Sequence, residues 1–137
     1  MNLAVELRDL SVHISAIVRL VSAKYKLSLS QSNILHSIPS DGISLVSLSN
    51  RIGLDVSTMS RNIVKLANKN LVQKQKSSSD LREYNIIITE LGVDLLKNIN
   101  ADLAEFIDSI SDLHLYSDIN DSIEKINWLF LKLRDNS

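Results

Sequence analysis

Apolar residues recur along this chain at alternating spacings of four and three, and the longest rows fall at its two ends. Leu3, Leu7, Leu10, Ile14, Ile17 and Val21 form one row; Ile99, Leu103, Phe106, Ile110 and Leu113 a second; Ile119, Ile123, Ile126, Phe130 and Leu133 a third. A repeat near 3.5 residues places its members on one helix face and packs helix against helix. Residues 1–25 and 93–134 therefore read as long helices that need partners. An intramolecular bundle is one solution and an intertwined dimer, the favoured one, is the other.

Between these rows the helices shorten and their end signals become explicit. Ser44 can N-cap a helix whose Leu45, Leu48 and Ile52 face inward, and Gly53 supplies the permissive backbone for a turn. Asp55 can N-cap the next helix, where Val56, Met59, Ile63 and Leu66 share a stripe expected to be buried. The opposite face carries Ser57, Thr58, Arg61 and Lys65, with Ser60 and Asn62 on its flanks. Hydroxyls, an amide and two cations suit phosphates and base edges. Asn70 tolerates the left-handed conformation and stands as a C-terminal stop after Lys69. Residues 71–76 and 84–89 then read as two strands flanking the polar turn Ser77-Ser78-Ser79-Asp80. Lys74, Lys76 and Arg82 would give this hairpin a cationic tip able to follow a DNA backbone or enter a minor groove. Helix, turn, helix and wing is the order of parts in a winged helix-turn-helix.

Charge sharpens that reading. The formal net charge is only -1, but residues 1–50 carry +1, residues 51–82 carry +5 and residues 83–137 carry -7. A nearly neutral chain can thus hold a cationic face against DNA while its acidic end points away. Arg51, Lys65 and Lys69 taken singly read as solvated helix residues; the set does not.

Other composition mostly excludes. With no cysteine, thiol redox sensing, disulfides and Cys-based zinc sites are ruled out, which suits a reducing cytoplasm. The longest apolar run spans only residues 128–131 and no secretory signal opens the chain, so a soluble protein retained in the cytoplasm is expected, with no membrane partner. Its 137 residues suit one domain, and the single proline, Pro39, belongs to the turn Pro39-Ser40-Asp41-Gly42.

Two further stretches connect these parts to a known family. Leu27-Ser28-Leu29-Ser30-Gln31-Ser32-Asn33-Ile34-Leu35 resembles the segment opening the second helix of MarR-family regulators, and is physically a capping box in which Ser28 and Gln31 satisfy each other's end amides. Asp80-Leu81-Arg82, then Ile88-Thr89-Glu90-Leu91-Gly92, resembles that family's wing motif and the Leu-Thr-x-x-Gly step into its long dimer helix. Departures are mild: Ser49 stands where the family often has alanine, Ser47 where it often has glutamate and Asn70 where it often has glycine, while the basic residue that often opens the wing tip appears as Lys76, which loses bidentate geometry but keeps the charge. The resemblance implies a mainly α fold with a small β-hairpin, one MarR-like domain over residues 1–137. Within it, residues 27–92 are the winged helix-turn-helix and the N- and C-terminal helices form a dimerisation platform. Leu3, Leu7, Leu10, Ile14, Ile119, Ile123, Ile126, Phe130 and Leu133 are the platform's apolar residues. It also implies that Asp80 orients Arg82, and that His13 and His36 lie on helices lining the family's ligand crevice, so a small-molecule effector is an expected partner.

No metal or cofactor is expected. His13, His36 and His114 have no metal-ligand spacing, the family's zinc-sensing ligand sets lack a counterpart, and Asp94, Asp102, Glu105, Asp108 and Asp112 read as a solvated face. The chain has no nucleophile elbow or phosphate-cradling loop and only three glycines, which argues against an enzyme. The expected function is a homodimeric transcriptional regulator, a repressor, reading double-stranded DNA through Ser57, Thr58, Ser60, Arg61, Asn62, Lys65, Lys74, Lys76 and Arg82 at a pseudo-palindromic operator. The alternative is a winged-helix module whose basic face meets an acidic protein.

Overall fold

A computed structural model of the chain describes residues 2–76, 83–109 and 113–135. The wing-tip run of Ser77, Ser78, Ser79 and Asp80, together with Leu81, Arg82, Ile110 and Asp112, lies outside the described residues, as do the side chains of Leu113, His114 and Tyr116. The elements in order are α1 (Leu3–Ala23), α2 (Leu29–Ser37), β1 (Ile43–Ser44), α3 (Leu45–Ile52), α4 (Val56–Asn68), β2 (Val72–Lys76), β3 (Tyr84–Ile88), α5 (Glu90–Asp108) and α6 (Leu113–Asp135). They form two compact units, residues 1–103 and 104–137. The fold is mainly helical with a small antiparallel sheet.

Helix ends sit where side chains satisfy the orphan backbone groups. Ser28 Oγ accepts from the Gln31 amide and Gln31 Oε1 from the Ser28 amide, each at 3.1 Å, which completes the capping box of α2. Ser44 Oγ accepts from the Ser47 amide at 3.1 Å and starts α3, and Gly53 ends it in the left-handed region with φ 72°. At the end of α4 the Asn70 amide donates to the Ala67 carbonyl and the Leu71 amide to that of Leu66. Asn70 itself is left-handed with φ 61°, so this is a Schellman closure with asparagine where glycine is commoner.

The expected hairpin is present, with Lys74 opposite Ile86 and Lys76 opposite Tyr84. A third strand joins it: β1 pairs antiparallel with β3, Ile43 opposite Ile86, giving the order β1-β3-β2. Gly42 turns the chain into β1 at φ 88°, and a Cβ there would stand 2.7 Å from Asn85 Nδ2. The β3 strand is thus central, and its Ile86 is fully buried.

The core of the first unit gathers Ile34, Leu35, Leu48, Met59, Ile63, Leu66 and Ile86, none of them exposed, and it also takes Ile99 from α5 with Leu95, Leu96 and Leu103 beside it. Each such side chain contributes roughly 1.5–3 kcal/mol on leaving water. Ile99 and Leu103, read from the sequence as part of a terminal seam, are therefore used inside this unit. Ser49, buried in place of the family's alanine, donates its hydroxyl to the Leu45 carbonyl at 2.8 Å and so leaves no orphan.

One junction ties the sheet to α5. The Thr89 amide donates to the Leu71 carbonyl at 3.0 Å, its hydroxyl donates to the Asn70 carbonyl at 2.7 Å, and that same oxygen accepts from the Gly92 amide at 3.0 Å. A Cβ on Gly92 would overlap the Leu71 carbonyl oxygen, so the backbones meet here at a distance only glycine allows. At the α1–α2 elbow, the Tyr25 hydroxyl donates to Asp102 Oδ2 at 2.6 Å, joining the elbow to α5 and holding the phenol's pKa above its ordinary value.

Candidate nucleic-acid interface

Helix α4 builds the site because its two faces are chemically opposite. Met59, Ile63 and Leu66 are fully buried, whereas Ser57, Arg61 and Lys65 are exposed and Thr58, Ser60 and Asn62 are half-buried on the flanks. One sequence assignment fails. Val56, placed in the buried stripe, is 47% exposed. It is the first helical residue of α4.

The N-terminal turn of α4 is internally wired. Asp55 accepts from the Thr58 amide at 2.8 Å and from the Thr58 hydroxyl at 2.9 Å, while Arg61 Nη2 donates to that hydroxyl oxygen at 3.2 Å. Asn62 Nδ2 donates to the Thr58 carbonyl at 3.1 Å. The Thr58 amide and hydroxyl, with nearby Arg61, hold the Asp55 carboxyl below its ordinary pKa. Thr58 therefore links the cap to Arg61 and limits where the guanidinium can swing. Sequence reading found Asp55 as a cap but missed this relay, although the three-residue spacing Asp55, Thr58, Arg61 signals it.

The cations do not all serve one purpose. Arg51 Nη1 donates to the Ser37 carbonyl at 3.0 Å and Lys69 Nζ to the Lys26 carbonyl, so both act as ties between elements. On the wing, Lys74 Nζ lies 4.2 Å from the centroid of the Tyr84 ring, a cation–π contact that stiffens the strand pair, and Lys76 is exposed. Asp80 and Arg82 lie outside the described residues.

His13 on α1 and His36 in the last turn of α2 are both exposed. Neither lines the open groove of about 300 Å³ bounded by Tyr25, Lys69, Leu71, Leu91, Asp94 and Leu95 near the junction of α4 with α5. Among the described residues no three His, Asp or Glu side chains are gathered as a metal site would need. No helix among them is long and apolar enough to cross a membrane.

Comparison with known proteins agrees with this geometry. Residues 27–84 match the MarR family profile. No curated protein sequence matches the chain. Among solved structures, a MarR transcriptional regulator from Methanosarcina mazei Go1 superposes with a TM-score of 0.77 at 25% identity, covering 95% of this chain and 96% of that one. Wild-type apo MarR from E. coli gives 0.79 at 15% identity, covering 92% and 97%. CouR from Rhodococcus jostii RHA1, solved bound to p-coumaroyl-CoA, gives 0.67 at 18% identity, covering 91% of each. The capping box, α3, the two-faced α4 and β2 thus lie inside the matched segment, and the protein carries a MarR-family winged helix-turn-helix domain within the fold of that family.

Proposed function

We propose that the protein is a sequence-specific, double-stranded-DNA-binding transcriptional regulator, a repressor, acting as a homodimer on a pseudo-palindromic operator. The observation that carries this reading is the outward face of α4, where Ser57, Arg61 and Lys65 are exposed opposite a fully buried Met59, Ile63 and Leu66. Such a helix is complementary to a major groove, with Arg61 available for base edges or phosphate and Lys65 for phosphate. Lys74, Lys76 and Arg82 would meet the backbone beside it, with Asp80 orienting Arg82.

Dimerisation is supported by apolar helix faces that the single chain leaves in water. On α1, Leu3, Leu10 and Ile14 are exposed; on α6, Ile119, Ile123, Phe130 and Leu133 are exposed. Faces of this kind are costly in a monomer and are the surfaces two chains would share. A small-molecule effector that altered the separation of the two recognition helices would alter affinity. The CouR structure, of the same fold, holds a small molecule, p-coumaroyl-CoA, and the cytoplasm is the expected location.

Titrating salt against binding tests the reading. Affinity for a random duplex should fall linearly with salt on logarithmic axes, as phosphate contacts require. Arg61→Ala should reduce the advantage of a selected duplex over random DNA by roughly 1–3 kcal/mol if the guanidinium makes a bidentate base contact. Duplex affinity that ignores salt would instead favour an acidic protein partner.

A further inference from the structure

Two side chains on the DNA-facing helix do not fit a purely polar surface. Val56 is 47% and Val64 49% exposed, and they stand four residues either side of Ser60, in a row running beside Ser57, Arg61 and Lys65. A β-branched residue on an exposed helix position gives up side-chain freedom and helix propensity that alanine would keep. Within the folded unit each valine still leaves about half of its surface in water. Their neighbours are hydroxyls and cations, which select a polyanion over an apolar protein surface.

The major groove offers one apolar group on its base edges, the C5 methyl of thymine. Resting on the DNA-binding function proposed above, we infer that Val56 and Val64 determine operator specificity by packing against thymine methyl groups. Val56 occupies the first turn of α4, the part of a recognition helix that reaches base edges. Val64, eight residues further on, lies about 12 Å along the axis. A recognition helix lies along the groove, so that separation sets the two side chains over different base pairs of one half-site. Each half-site should therefore contain thymines, on either strand, at different base pairs. Arg61 lies between the two valines in sequence and would read or anchor between them.

Uracil isolates the claim, because it pairs as thymine does and lacks only the methyl group. The probe is a duplex selected by this protein from a random pool, with each thymine replaced singly by uracil and affinity measured at fixed salt. At one or two positions per half-site, uracil should weaken wild-type binding about fourfold, the effect of one buried methyl. Val56→Ala should abolish the sensitivity at one such position and Val64→Ala at the other, while both variants keep the wild-type circular dichroism and melting profile. Two results overturn the inference while DNA reading stands: a selected duplex that still outcompetes random DNA yet has no uracil-sensitive thymine, or sensitivity that persists in both valine variants. If no duplex is preferred over random DNA, the regulator function fails and this inference with it.

Discussion

Replacing Gly92 with alanine should be among the most damaging one-carbon changes the first unit can undergo. The new Cβ would overlap the Leu71 carbonyl oxygen and stand 2.7 Å from Ile88 Cγ1, so α5 must shift away from the sheet by about an ångström to restore normal contact. Overpacking of this kind costs about 1–3 kcal/mol. The shift also strains the two Thr89 bonds to the Leu71 and Asn70 carbonyls, each contributing about 1 kcal/mol. Alanine's better helix propensity offsets about 1 kcal/mol. The balance is a loss of roughly 2–4 kcal/mol, or a melting temperature lower by about 8–16 °C. Urea unfolding followed by far-ultraviolet circular dichroism at fixed protein concentration measures it, as a lower midpoint with unchanged slope. Gly53→Ala is the control: Gly53, unlike Gly92, is left-handed, but nothing lies within 4 Å of its added Cβ, so only about 1–2 kcal/mol of backbone strain is expected. A Gly92→Ala protein as stable as wild type, or no weaker than Gly53→Ala, would refute the close-approach account of the junction.

Asp55 makes a pH-dependent prediction. Its folded-state pKa is depressed, chiefly by the Thr58 amide and hydroxyl, so its contribution is complete above the unfolded carboxylate value of about 3.9 and fades as pH falls through the lower folded value. Melting curves of wild type and Asp55→Ala should stay separated at neutral pH and converge in acid; a gap constant down to the lowest pH tested would contradict the cap-and-relay geometry. On the terminal helices, Ile126→Lys with Phe130→Lys puts charge into the apolar row of α6, and an unstable or aggregated monomer is expected. A well-folded variant with the wild-type mass in solution would remove the dimer seam from the account.

Features governed by local hydrogen bonds were legible in the sequence. Ser28, Ser44 and Asp55 cap the helices they were expected to cap, Gly53 and Asn70 take the left-handed backbone, and the two wing strands fall within a residue of their expected bounds. What escaped depends on distant chain. Strand β1 has two residues and no periodicity to detect, and its Ser44 doubles as a helix cap. Arg51 and Lys69 looked like solvated cations, yet their partners are carbonyls 14 and 43 residues away. Val56 satisfied the three-and-four spacing of the buried stripe, but periodicity fixes a direction around the helix and does not show where packing neighbours stop. The row containing Ile99 and Leu103 had the spacing of a dimer seam because a helix buried in its own domain obeys the same period.

If two copies of α4 read one face of a duplex in fixed register, binding must depend on half-site spacing. With half-sites about 10 base pairs apart, roughly 34 Å, both recognition helices meet the same side of the duplex. Inserting about 5 base pairs into a selected operator should abolish tight binding by turning one half-site to the far side, and bringing the insertion to about 10 should restore the facing. Affinity indifferent to both insertions would mean independent monomers or a nonspecific cationic contact, and would contradict the account.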